Sequence, residues 1–288
     1  MKFKLWCLLV PALAFYSCKD QPEQIPAYLR LEPFTVNAPG GAGWQKITDG
    51  WLYVNGEFLG AYTLPATVPV LAEGDSDIWL FPGVKENGIL ETPNIYDFLE
   101  RFSQKKNLSP AQTTLIQPET RYKTDAIFAW AADRTSFDGP SSLVLENRDT
   151  DTSNTFELTS VGAFAGLSVK IAVNKDHPTL EIITEQADLP VNGNQQVWLE
   201  LHYRNDVPFV LYLIGTTGSS PETILPIYRF NAVENWNKVY MNLTQFMVQS
   251  GEAKHRLLFQ TLLPRGSDGN YTKDAGTVYL DNIKLVHF

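Results

Sequence analysis

From Trp51 onward the chain is a succession of short runs built from β-branched and aromatic residues. They read WLYVNGEFLG, SDIWLF, SLVLE, LSVKIAV, TLEIIT, QVWLELHY, PFVLYLIG, PIYRF, KVYMNL, RLLFQTLL and TVYLDNIKLV. Gly, Pro, Asn or Asp separates most of them, and several alternate apolar with polar residues, which is the signature of strands with one buried face. Parallel strands would need crossovers, usually helices, between them. Without a regular series of helices, the expected fold class is all-β, built of antiparallel β-sandwiches.

Local signals refine this picture. Val54-Asn55-Gly56 predicts a hairpin, because Asn-Gly supplies the positive φ angles of a tight primed turn. In NIYDFLERFSQKK, residues Ile95, Phe98, Leu99 and Phe102 fall at i, i+3, i+4 and i+7. That spacing predicts one amphipathic helix, with Asn94 as its cap and Asp97 in its first turn. TQFMVQSG predicts a further short helical segment closed by Gly251.

The 288 residues suffice for two cores. A hydrophobic content of 44% marks the chain as globular and not disordered. The polar stretch QPETRYKTD places a domain boundary near Lys123–Asp125. The expected organisation is a signal at 1–17, a tether at 18–27, a first domain at 28–123 and a second at 124–288.

The first residues combine Lys2 and Lys4 with the apolar run LWCLLVPALAF. The run is far short of the roughly 20 residues that span a bilayer, and it has the form of an export signal. Cys7 would leave with the signal, so Cys18 would remain as a lone cysteine with no internal disulfide partner. Ser17-Cys18, with Ala14 upstream, resembles the signal of a bacterial lipoprotein of the Bacteroidota type, with Phe15 departing from the commonest pattern. The resemblance implies acylation of Cys18 and attachment to the outer membrane, facing the cell surface. Burial of several acyl chains makes such an anchor effectively permanent. Lys19 to Ala27, KDQPEQIPA, then reads as a polar tether in which Asp20 and Glu23 resemble an acidic surface-export tag.

The formal charge is −9, and taking Lys2 and Lys4 from the 23 basic residues leaves 21 against 32 acidic ones. Such a chain is repelled by phosphate backbones, which argues against nucleic acid as a partner.

Between residues 47 and 84, the order Val54-Asn55-Gly56, Gly60, Leu64-Pro65 and Glu73-Gly74 resembles the PEGA domain. That resemblance implies a small immunoglobulin-like β-sandwich that acts as a spacer or interaction module, with no activity. Glu73 to Asp77, EGDSD, lacks the acidic ladder of a calcium loop and reads as a solvated turn. Gly40-Gly41-Ala42-Gly43 is followed by no Lys-Ser/Thr and reads as a loop, not a phosphate cradle.

The closing run TVYLDNIKLV and the stretch from Trp236 through Lys238-Val239-Tyr240 to Asn242-Leu243-Thr244 resemble the jelly rolls of carbohydrate-binding modules. That resemblance covers residues 126–288. It implies a structural calcium at Asp281, with Glu146, Asp138 or Asp149 as partner ligands, against the alternative that Asp281 and Asn282 only start a strand edge or hydrogen-bond a loop. No other cofactor is expected.

In β-strand alternation, Val197, Leu199, Leu201 and Tyr203 share the core face, which puts Trp198, Glu200, His202 and Arg204 together on the other. A tryptophan beside hydrogen-bonding side chains suits the stacking of a sugar ring. The other reading of this face is an ordinary solvated one with Trp198 under a loop.

Catalytic motifs are missing. The four histidines show no HExxH spacing, no GxSxG elbow occurs, and Glu181 with Glu185 is only a sequence pair. The expectation is a non-enzymatic, lipid-anchored envelope protein that binds glycan through its second domain, or alternatively contacts other envelope proteins. Cys18→Ala is expected to shift the protein from the membrane to the soluble fraction; unchanged membrane retention after fractionation would refute lipidation.

Overall fold

The computed structural model describes residues 23–37, 45–130, 134–139, 141–216 and 221–288. The signal, Cys7, Cys18 and the Gly40–Gly43 stretch lie outside the described residues.

The N-terminal unit begins with β1 (Ala27–Leu31), β2 (Thr35–Val36), β3 (Asp49–Val54), β4 (Glu57–Thr63) and β5 (Ala66–Val70). It continues with β6 (Gly74–Lys85), β7 (Pro93–Ile95), β8 (Phe102–Leu108), β9 (Thr113–Ile116) and β10 (Glu119–Thr120). One sheet has the order β4-β3-β6-β7, with β8 also on β6, and a second has the order β5-β1-β9. Two pairings here are parallel, β1 with β9 and β2 with β10, because the end of the unit returns alongside its beginning.

The C-terminal unit starts with β11 (Ile127–Phe128), β12 (Leu145–Asn147), β13 (Glu157–Thr159), β14 (Ser168–Asn174), β15 (Thr179–Thr184) and β16 (Ala187–Asp188). The long strands follow: β17 (Val197–Asn205), β18 (Phe209–Thr216), β19 (Thr223–Phe230) and β20 (Val233–Asn242). Helix α1 (Thr244–Ser250), β21 (Lys254–Leu262) and β22 (Ala275–His287) complete it. Two sheets face each other, β13-β14-β22-β17-β20 and β12-β15-β21-β18-β19, and their neighbouring strands run antiparallel. Phe209, Phe230 and Phe259 sit in the core between them, with the Phe209 and Phe230 rings stacked at 4.3 Å.

Several local expectations hold. Asn55 and Gly56 take φ of 52° and 83° and turn β3 into β4. Gly251 ends α1 in the left-handed region, its N–H donating to the Met247 carbonyl. Residues 94–106, in contrast, form no helix. β6 is long enough to pair with β7 at Gly83–Lys85 and with β8 at Gly74–Leu80. The chain between them turns so that Tyr96, Phe98 and Leu99 are buried. The i, i+3, i+4 spacing is thus met by a turn inserted into a core, and strand pairing overrides local periodicity. EGDSD is likewise not a solvated turn: Gly74 to Asp77 open β6, and Ser76 is buried.

The N-terminal core is not self-contained. Trp198, Tyr240 and Val286, from the outward face of the first C-terminal sheet, pack with Leu29, Leu52, Leu80 and Phe98. Trp198 meets Tyr96 edge to face at 5.4 Å, and Phe98 stacks on Phe288 at 4.6 Å. An isolated bridge between Glu86 and Tyr240 also joins the units. Trp198→Ala is expected to cost about 3–5 kcal/mol, read as a lower midpoint in urea denaturation; an unchanged midpoint would contradict the shared core.

Candidate functional site

β17 alternates as its sequence requires, with Val197, Leu199, Leu201 and Tyr203 in the core between the two C-terminal sheets. The opposite face is not open along its length. Trp198, Glu200 and His202 are 1%, 0% and 2% exposed: Tyr96 of the N-terminal unit lies against Trp198 and Glu200, and Phe164 of the C-terminal unit lies against His202. They cannot meet a sugar, which corrects the expectation for three of the four face residues.

What they form is a buried polar network. Tyr96 and Tyr122 each donate a hydroxyl hydrogen bond to Glu200, at 2.7 and 2.6 Å. The Lys238 ammonium donates to its other oxygen at 2.6 Å and to Gln45 at 3.0 Å. The Tyr240 hydroxyl donates to Gln45 at 2.9 Å and accepts from the Lys46 backbone N–H at 3.0 Å. Trp198 donates its indole N–H to Gln196.

Burial is the largest influence on Glu200 and would raise its pKa. Attraction to Lys238 and Lys284, with hydrogen bonds from Lys238 and Tyr122, outweighs it and holds the carboxyl at about 2. Burial, then the Glu200 charge, pushes the Tyr96 and Tyr122 hydroxyls well up. Burial and the nearby Lys238 lower His202 to about 2, so its imidazole is neutral and packs against Phe164 at 4.4 Å.

Arg204 lies further along β17 and remains half-exposed. Its guanidinium sits 4.3 Å from the Tyr279 ring centre and 5.8 Å from that of Trp236. β22 brings Tyr279 directly opposite Arg204. The Trp236 indole donates to the Gly162 carbonyl at 3.3 Å. Gly162 takes φ +73°, which suits glycine, and a Cβ there would lie 2.2 Å from the Arg204 guanidinium, so the loop approaches closely here. The Arg204 Nε makes no hydrogen bond among the described residues. A groove of about 260 Å³ opens beside it, lined by Arg204, Asp206, Glu234, Thr277 and Tyr279. The sequence does not single out Trp236 and Tyr279 as site residues. Trp236 does share outward parity with Lys238 and Tyr240, but its meeting with Tyr279 depends on strand order.

A second cleft, of about 220 Å³, lies where the units meet, lined by Lys46, Lys85, Asn87, Tyr228 and Phe230 among others. Its lysines are engaged: Lys85 with Asp49, Lys46 with Asn237 and Lys238 with Glu200.

Asp281 and Glu146 do not converge. Asp281 lies on the outward side of its sheet opposite His202, and it accepts from Ser168 Oγ at 2.6 Å and from the Asn282 N–H at 2.7 Å. Burial pushes its carboxyl up to about 7. Glu146 belongs to the other sheet, where it ion-pairs with Arg256 at 2.7 Å. This pair does not begin the set of six to eight oxygens that calcium takes. Among the described residues no three His, Cys, Asp or Glu side chains gather as a metal site.

Ser153, Asp151 and His177 have the composition of a catalytic triad without its geometry. Both Asp151 and the serine address the same histidine nitrogen, Nδ1, whereas a triad uses one on each side. Glu181 accepts from Gln260 and Glu185 pairs with Arg134, so those two carboxylates serve structure.

No family model matches this sequence, and no curated protein matches it. Solved structures with similarity include TmCBM61 in complex with β-1,4-galactotriose, which is 8% identical. That match covers 55% of this chain and 97% of the other at a TM-score of 0.34. The CBM22-2 xylan-binding domain from Paenibacillus barcinonensis Xyn10C is 10% identical over 54% of this chain and 97% of its own, at 0.37. The enzymatically active domain of bacteriophage CBA120 tailspike protein 4 is 11% identical over 62% of this chain and 25% of its own, at 0.41. Similarity at this level transfers neither ligand nor activity.

Glu200→Gln removes the carboxylate that faces Lys238 in the buried network, with an expected loss of about 3–5 kcal/mol at pH 7. The folded pKa lies below the ordinary 4.5, so this stabilisation is present above pH 4.5 and is lost as pH falls toward 2. Urea titrations of the two proteins should therefore converge below pH 4.5; a gap that widens with acid would contradict the charged network.

Proposed function

We propose that this chain is a non-catalytic envelope lipoprotein that binds glycan at the open end of its C-terminal sandwich. The observation that carries this reading is the Arg204 guanidinium held against Tyr279 and beside Trp236, at a groove rimmed by Asp206 and Glu234. Aromatic faces suit the C–H face of a pyranose, and a guanidinium with flanking carboxylates suits its hydroxyls. The resemblance of the Trp236–Thr244 stretch and the closing strand to carbohydrate-binding modules supports the reading and does not specify the sugar. Lys2, Lys4, the short apolar run and Ser17-Cys18 support acylation at Cys18 and an outer-membrane location. The PEGA-like pattern at 47–84 supports a spacer role for the first domain, whose proposed limits are 28–123.

A glycan array with the exported chain tests the central claim. Trp236→Ala is expected to lower affinity for a bound glycan at least about tenfold, the equivalent of one stacking contact, while the denaturation midpoint changes little. Binding unaffected by Trp236→Ala and Tyr279→Ala would place the site elsewhere, and an array without signal would refute glycan binding here.

A further inference from the structure

The outward face of the sheet β4-β3-β6 carries five aromatic side chains. Register pairs Trp51 with Phe81 and Tyr53 with Trp79, and on the other side Tyr53 with Phe58. Their inward neighbours Leu52, Val54, Ile78 and Leu80 fill the core, so the alternation leaves the rings on the solvent side. Trp51, Tyr53, Trp79 and Phe81 are half-buried by one another, and Phe58 is 50% exposed. Tyr53 lies 5.1 Å from Phe58 and 5.4 Å from Phe81. Gly83 permits this packing: a Cβ there would lie 2.3 Å from the Trp51 ring.

Arg101 closes one side of the patch. Its guanidinium lies 4.1 Å from the Trp79 ring centre and 5.8 Å from that of Phe81. It is exposed, and it has no hydrogen bond or ion pair among the described residues. Lys105 stands next along β8, 79% exposed and only loosely paired with Asp77 at 3.8 Å. In a chain of net charge −9, Arg101 is a cation held against apolar rings with no carboxylate partner among the described residues.

We propose that this face binds an acidic, uronate-containing polysaccharide. The rings offer flat surfaces for successive pyranoses, since strands stand about 4.8 Å apart and same-face side chains repeat about every 6.7 Å. A guanidinium 4.1 Å from the Trp79 ring centre can offer its in-plane N–H groups to a carboxylate in the two-pronged geometry that a lysine lacks. Charge complementarity selects the acidic sugar over a neutral one. No residue is shared with the Arg204 groove, so either site stands without the other.

Affinity electrophoresis of the full chain in mild detergent tests this, with polygalacturonate or alginate in the gel and a neutral β-glucan as control. The protein should be retarded by a polyuronate, less so as salt rises. Arg101→Ala should weaken that retardation about tenfold, as loss of a charge-assisted hydrogen bond implies. Tyr53→Ala should weaken it too, Arg101→Lys should restore part of it, and Trp236→Ala should leave it unchanged. Thermal melts of each variant separate loss of binding from loss of fold. Three results would overturn the proposal: no retardation by either polyuronate, wild-type retardation in Arg101→Ala with Tyr53→Ala, or a dimer in light scattering that Tyr53→Ala dissolves, which would assign the face to a second copy.

Discussion

Glu200 is a carboxylate with no solvent exposure, and the relation between the two units is organised around it. It collects two tyrosine hydroxyls from the N-terminal unit and one ammonium from its own sheet. A charge buried this deeply is tolerated only when its hydrogen-bonding capacity is filled, so Tyr96, Tyr122 and Lys238 have little freedom to move. Trp198, Tyr240 and Val286 surround the network with apolar contact. The outcome is a first unit whose core is completed by the second.

That arrangement also decides which part of the outward face stays accessible. A jelly roll with a bare sheet would present the whole outward side of β17. Here the N-terminal unit covers Trp198 and Glu200, Phe164 lies against His202, and Arg204 is left partly exposed. The bulge between β17 and β22, where Asn282 takes a φ of 50°, falls close to this limit. Bulges re-aim side chains and bend strands, and this one falls between Glu200, beneath the N-terminal unit, and His202, beneath Phe164. The unit that covers one sheet carries a ring-lined face of its own, so each half of the molecule offers a different surface.

Much of the fold is legible in the sequence, and the reasons differ by element. The Asn55-Gly56 turn and the Gly251 stop are readable because positive φ angles are a local demand that few residues meet. The strands β14, β15 and β17 to β22 are readable because most of their runs are long and rich in β-branched residues. The segment 94–106 misleads because four apolar residues at helical spacing are also what a turn buried between two strands needs. The solvated turn expected at EGDSD fails for a related reason: small polar residues also open a strand, and pairing with β8 leaves Ser76 buried.

By itself the sequence determined the class of structure and the alternation along β17. Period-two alternation states that Trp198, Glu200, His202 and Arg204 share a face. It carries no information on what lies against that face, because the covering side chains, Tyr96 and Tyr122, stand 104 and 78 positions from Glu200 in the chain. Only the tertiary structure decided that three of the four are sealed inside, that Arg204 meets Trp236 and Tyr279, and that Asp281 and Glu146 belong to different sheets. Each of those outcomes rests on strand order and on the docking of the two units, which are properties of long-range contacts.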